Sequence, residues 1–130
     1  MARLLTGNKQ NNDCCVVAAV NVTGVPYSRL VKIAREKQGH LRRGMWHGFM
    51  IEIVKMYRRV KEMPQSPPFL SPDEWVEQHG QDGIFIIVIR FQHGTKGERS
   101  HAVAVREGKI WGSYSEGHRK GRVTVAYEIF

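Results

Sequence analysis

The run Ile84-Phe-Ile-Ile-Val-Ile89 limits the fold more than any other part of the chain. An uninterrupted apolar stretch, mostly β-branched, makes a strand with no polar side, so both of its faces need cover. Such a strand belongs in the middle of a sheet, between other layers. Gly83 bounds it on one side, and Gln92 to Arg99, with Gly94 and Gly97, reads as a turn or loose loop on the other.

Everything before this strand has a helical period. Val16-Val-Ala-Ala-Val20 leaves no polar face and predicts a helix buried on nearly all sides, with Asp13 or Asn12 as its N-cap. Thr23-Gly-Val-Pro26 stops it, because Gly24 suits a left-handed cap and Pro26 cannot prolong a helix. A second helix is expected from Tyr27 to Lys37, with Tyr27, Leu30, Val31 and Ala34 on one stripe. After a basic loop from Gln38 to Gly44, Met45 to Tyr57 reads as a third helix with Met45, Phe49, Ile53 and Tyr57 along one side. Val60 to Met63 is a short strand, and Pro64 to Pro68 an extended connection. Ser71-Pro-Asp-Glu74 combines a capping box with proline at the first helical position, opening a short helix through His79 that buries Trp75 and Val76.

After the central strand the expected order is a strand at His101 to Val105, a turn at Glu107-Gly108, and a strand at Lys109 to Ser113. A loop from Tyr114 to Gly121 and a last strand at Arg122 to Ile129 complete it. Helices first and a meander of antiparallel strands afterwards make an α+β fold, and 130 residues fit one domain over 1–130.

Twenty Lys and Arg against twelve Asp and Glu give a net charge of +8, which favours acidic partners. The clusters Leu41-Arg-Arg43, Arg58-Arg59-Val-Lys61 and His118-Arg-Lys-Gly-Arg122 read either as a solvated basic surface or as a footprint for nucleic acid or another acidic polymer. No aromatic residues interleave with them in the way that base stacking needs. The opening residues lack the apolar core of a signal peptide, and no run is long enough to cross a membrane, so a cytoplasmic protein with no membrane partner is expected. Oligomeric state is not legible.

The two cysteines are adjacent, Cys14 and Cys15, and neighbours cannot staple a domain. They are expected to be reduced, which fits the same compartment. The pair reads either as two small buried hydrophobes or as a nucleophile site at the solvent-facing helix tip. Unpaired N–H groups at a helix start lower the pKa of a thiol placed there. Such a thiol needs a base, and of the six histidines His101 has the most suggestive setting, at the opening of a strand otherwise made of small and apolar residues. His93, His118, His40 and His79 fall in loops or at element ends. His47 has no Cys, His or carboxylate at zinc-ligand spacing, and no metal or organic cofactor is expected.

Asp13-Cys14-Cys15-Val-Val-Ala18-Ala, the Thr-Gly-Val-Pro-Tyr27 break, Gly83-Ile-Phe-Ile86 and Ser100-His101-Ala-Val-Ala-Val-Arg-Glu-Gly108-Lys-Ile-Trp together resemble the small papain-like cysteine peptidases. The nearest branch is that of the transporter-associated domains that cleave bacteriocin leader peptides. The resemblance spans roughly Asn8 to Ser113 and rests on order and spacing. It implies a papain-like fold with the nucleophile at the start of the central helix. Cys14 becomes that nucleophile, Cys15 replaces the family's usual glycine, and His101 becomes the general base. The family's oxyanion-holding Gln falls at Asn8, with Gln10 as the alternative donor, and the Cys14 backbone N–H as the second donor.

The family's third member, an Asp or Asn, falls at Gly112. With a two-residue turn at Glu107-Gly108, Arg106 pairs with Lys109, Val105 with Ile110 and Val103 with Gly112, so Gly112 lies on the histidine's face without a side chain to orient it. Glu116 is a candidate orienter on the correct side, as is Ser113 if a bulge turns it round. The implied activity is a thiol hydrolase cleaving a peptide or isopeptide amide in a peptide or protein substrate. The alternatives are a catalytically weakened papain-like module that binds a peptide or partner protein, and a basic nucleic-acid-binding protein.

Overall fold

A computed structural model of the protein describes residue 4, residues 13–39 and residues 45–130. Within them the chain is a mixed α+β unit: helices α1 (Cys14–Thr23), α2 (Tyr27–Gln38) and α3 (His47–Lys55), strand β1 (Val60–Met63), and helix α4 (Pro72–His79). Strands β2 (Ile84–Gln92), β3 (Glu98–Arg106) and β4 (Lys109–Trp111), helix α5 (Glu116–Arg119) and strand β5 (Arg122–Ile129) follow. The strands form one antiparallel sheet in the order β1-β5-β2-β3-β4.

β2 is the central strand its composition calls for, with Ile86, Ile87 and Ile89 fully buried. Its alternation divides the core. Ile84 and Ile86, with Ala102 and Ala104 of β3 and Ile129 of β5, face α1, α2 and α3. Phe85, Ile87 and Ile89, with Val103, Val105, Val123 and Ala126, face Trp75 and Val76 of α4. The order is not a simple meander, because β5 returns to pair with β2 and β1 forms the outer edge beside it. Only β2, β3 and β4 run consecutively.

α1 is buried from Cys15 to Val22, as a helix without a polar face must be, and Gly24 closes it with φ of 75° and a hydrogen bond from its N–H to the Val20 carbonyl. The Arg106 guanidinium of β3 donates to the Asn21 carbonyl at 3.0 Å, placing a cation at the helix's negative end. Thus both ends of α1 are registered against β3.

Several boundaries differ from the sequence reading. β3 begins at Glu98, which makes His101 an interior residue of the strand rather than its opening one, and the preceding stretch contains a short 3₁₀ turn at Gly94–Lys96. The stretch expected as a loop between Tyr114 and Gly121 carries α5, capped by Ser115. The third helix is shorter than expected and buries Met50, Ile51, Ile53 and Val54, while Tyr57 is exposed. Among the described residues no helix is long and apolar enough to cross a membrane.

Candidate active site

The site begins with the way β4 ends. Glu107 and Gly108 both have positive φ, 56° and 71°, the primed turn that joins two strands across two residues. The register Arg106–Lys109, Val105–Ile110 and Ala104–Trp111 follows from that turn. At Gly112 the backbone takes φ of 127°, a conformation glycine adopts and other residues resist, and the chain leaves the sheet. A Cβ at Gly112 would meet Val103 and Val17 at 3.5 and 3.9 Å, so the glycine is required by its dihedral angle rather than by lack of room.

Because β4 stops opposite Ala104, the ladder edge of β3 is open farther along. N–H groups alternate sides along a strand, so the N–H of Ala102 points the same way as those of Ala104 and Arg106, into the gap left by β4. The tip of α1 lies at this gap, where the Ala102 N–H helps to lower the pKa of the Cys14 thiol.

His101 lies one residue away on the same strand. Its Nε2 meets the main-chain carbonyl of Ser113 at 2.5 Å. A carbonyl only accepts, so Nε2 carries the proton and Nδ1 is the ring nitrogen left for Cys14, whose pKa His101 lowers. The Cys14 thiol is half-buried, and its pKa is lowered from 9.0 to about 4. The first cause is a hydrogen bond from Cys15; burial opposes it, while the His101 hydrogen bond, the His101 charge and the Ala102 N–H add to the lowering. The Cys15 sulfur lies 3.1 Å from the Met45 carbonyl and donates its one proton there. With that proton on Met45, the Cys14 thiolate depends on His101 and Ala102. Cys15 itself is pushed well above 9.0 by its neighbour and by burial, which leaves it a protonated core residue.

The helix tip is fixed by a side chain different from the one expected. Asp13 occupies the N-cap position but makes no capping bond with its side chain. Its Oδ2 accepts instead from the Tyr27 hydroxyl at 2.6 Å, linking the tip of α1 to the start of α2. The first bond of the helical ladder is Val17 N–H to the Asp13 carbonyl, so the N–H groups of Cys14, Cys15 and Val16 precede the ladder. Beyond Met45 the Trp46 indole is 63 % exposed and edge-on to Phe49 at 5.5 Å.

Of the two expected orienters, Glu116 has a side chain that is 74 % exposed and lies 4.0 Å from Arg119. Ser113 does orient the ring, but through its backbone carbonyl and not its hydroxyl. Asn8 and Gln10, the expected oxyanion donors, and Asn12 lie outside the described residues, as do Arg42 and Arg43 of the first basic cluster.

Sequence reasoning also missed His118. Its ring stacks on that of His101 with centroids 3.8 Å apart and planes 6° from parallel. Phe91 of β2 meets His118 edge-on at 4.5 Å. By the alternation of β3, His101 belongs to the α4 face of the sheet together with Val103 and Val105, and α5 brings His118 to that same face. A signal was present: Ser115 three residues before His118 is the spacing of a capping box, which would have placed His118 in the first turn of a helix.

Tyr114 and Arg119 hold this segment against α4. The Tyr114 hydroxyl donates to Asp73 at 2.9 Å, and Arg119 approaches the other Asp73 oxygen at 3.3 Å. Among the described residues no three His, Cys, Asp or Glu side chains converge to hold a metal ion. No family model, curated protein or solved structure matches this chain.

Proposed function

We propose that the protein is a papain-like thiol hydrolase that cleaves a peptide or isopeptide amide. One observation carries the reading: His101 acts on the half-buried Cys14 thiol at the tip of α1 to lower its pKa, while its Nε2 donates to a fixed acceptor, the Ser113 carbonyl. This is the order nucleophile, base, orienter that acyl-transfer sites require.

In the proposed reaction the Cys14 thiolate attacks the amide carbon, forming an S–C bond and placing negative charge on the carbonyl oxygen. The N–H groups at the start of α1 are suited to hold that oxygen. His101 passes the Nδ1 proton to the leaving nitrogen as the C–N bond breaks. It then takes a proton from the water that hydrolyses the thioester, and Cys14 leaves as thiolate. A neutral carbonyl fixes the tautomer of His101 but offsets the imidazolium charge less than a carboxylate would. A cysteine tolerates that loss better than a serine, because its thiolate forms more readily.

The same neutral carbonyl favours a second reading, a module that binds a peptide without cutting it. Labelling with a thiol-directed probe and digestion of a diverse peptide mixture, each compared across Cys14→Ser, Cys15→Ser and His101→Ala, separate the two. Hydrolysis predicts Cys14-dependent cleavage and His101-dependent labelling of Cys14. Labelling at Cys15, or labelling indifferent to His101→Ala, would overturn it.

A further inference from the structure

His118 has a second set of restraints beyond its stack on His101. The Ser115 N–H donates to its Nδ1 at 3.1 Å, and the Ser115 hydroxyl lies 3.2 Å from the same atom. An Nδ1 that accepts a backbone N–H has its proton on Nε2, so the ring is held in one neutral tautomer. Phe91 meets His118 edge-on at 4.5 Å and His101 edge-on at 6.4 Å, so the three rings form one cluster joining β2, α5 and β3.

A single carbonyl leaves one degree of freedom in the site. It fixes where Nε2 points but lets the imidazole swing about that hydrogen bond, which would carry Nδ1 off the thiol. A carboxylate with two oxygens restricts that motion further. Here the flat contact with His118 restricts it, because a ring stacked at 3.8 Å cannot tilt without losing the contact or colliding.

We propose that His118 is a positioning residue for the thiol hydrolase site: its neutral ring, pinned by Ser115 and stacked on His101, holds the imidazole plane so that Nδ1 stays on Cys14. The inference rests on the hydrolase reading and extends it to a residue with no contact to the reacting atoms. The groups that act on His118 fit this role. Burial, then the charge of His101 and that of His93, lower its pKa from 6.5 to about 4, against an opposing effect of Cys14; on its own helix Arg119 is occupied with Asp73 and Glu116. The ring therefore stays neutral down to about pH 4 and adds no like charge beside an imidazolium.

The thiolate absorbance of Cys14, titrated in a Cys15→Ser background without any substrate, tests the role. His118→Ala should raise the thiolate midpoint by about one pH unit or more, which is about tenfold in thiolate fraction below the midpoint. His118→Phe should restore most of it, because a flat ring can still stack. A folded His118→Ala with an unchanged midpoint overturns the inference, and so does a His118→Phe that fails to rescue. If Cys14 titrates as an ordinary thiol before His118 is altered, the hydrolase reading itself fails.

Discussion

The tip of α1 and the segment from Gly112 to Arg119 meet at the same pair, Cys14 and His101, but are built by different means. At the helix tip, position comes from side chains and secondary structure: an apolar helix buried along its length, a Tyr27–Asp13 hydrogen bond, and a thiol directed at the open edge of β3. In the second segment the decisive groups are a backbone carbonyl, a positive-φ glycine and a stacked ring. A thiolate needs only nearby donors and a base. An imidazole with no carboxylate partner needs its tautomer and its plane fixed separately, and the Gly112–Arg119 segment supplies one group for each.

The largest effect should come from the helix tip. Cys14→Ser is expected to reduce hydrolysis by at least about 10³-fold, since loss of a nucleophile removes the chemistry that its partners serve. Cys15→Ser retains a donor for the Met45 carbonyl and should keep most of the activity while costing about 1 kcal/mol in thermal or denaturant unfolding. Comparable losses from both serine variants would erase the distinction between the two thiols.

Gly112→Asp is the corresponding attack on the second segment. It places a carboxylate where papain-like enzymes carry one, yet it should impair the site rather than complete it. Holding a non-glycine residue at φ of 127° costs about 1–3 kcal/mol, and relieving the strain moves the Ser113 carbonyl off His101. Gain of activity would show that the carbonyl is a poor substitute. Peptide-cleavage rates and melting curves on the same preparation decide the matter.

The pH dependence joins the two regions. Cys14 has its folded pKa lowered from 9.0 to about 4, so its thiolate stabilises the fold fully above pH 9.0 and progressively less as pH falls toward about 4. Alkylation of Cys14 should therefore remain fast at neutral pH and fall off only in the acid range. His118 acts in the same direction: a base whose pKa is lowered from 6.5 to about 4 resists protonation in the folded state, and stability falls as pH drops through that window. Alkylation rates and melting temperatures measured between pH 3 and 9 should fall together on the acid side.

Smaller effects complete the comparison. Tyr27→Phe removes the hydroxyl that binds buried Asp13 and should cost about 1–3 kcal/mol, read in denaturant unfolding. Ser113→Ala and Glu116→Gln should each leave the rate within about twofold, because the first keeps the carbonyl and the second changes an exposed group. A large loss from Ser113→Ala would show that its hydroxyl acts after all.

The sequence by itself determined the elements whose cause is local or periodic. The apolar run in β2 required cover on both faces, the faceless α1 required burial, and Glu107-Gly108 set the register of β3 with β4. It also singled out the cysteine pair at the start of α1 and His101, because thiols at a helix start and a histidine in an apolar strand are exceptions to their surroundings; the choice of Cys14 over Cys15 came from the family resemblance. Only the tertiary structure decided what orients His101. A backbone carbonyl is present at every residue and leaves no mark in composition, so the role of Ser113 follows only from the bend at Gly112. His118 lies seventeen residues from His101 in the sequence, and only the packing of α5 on the sheet turns that separation into a stack 3.8 Å deep.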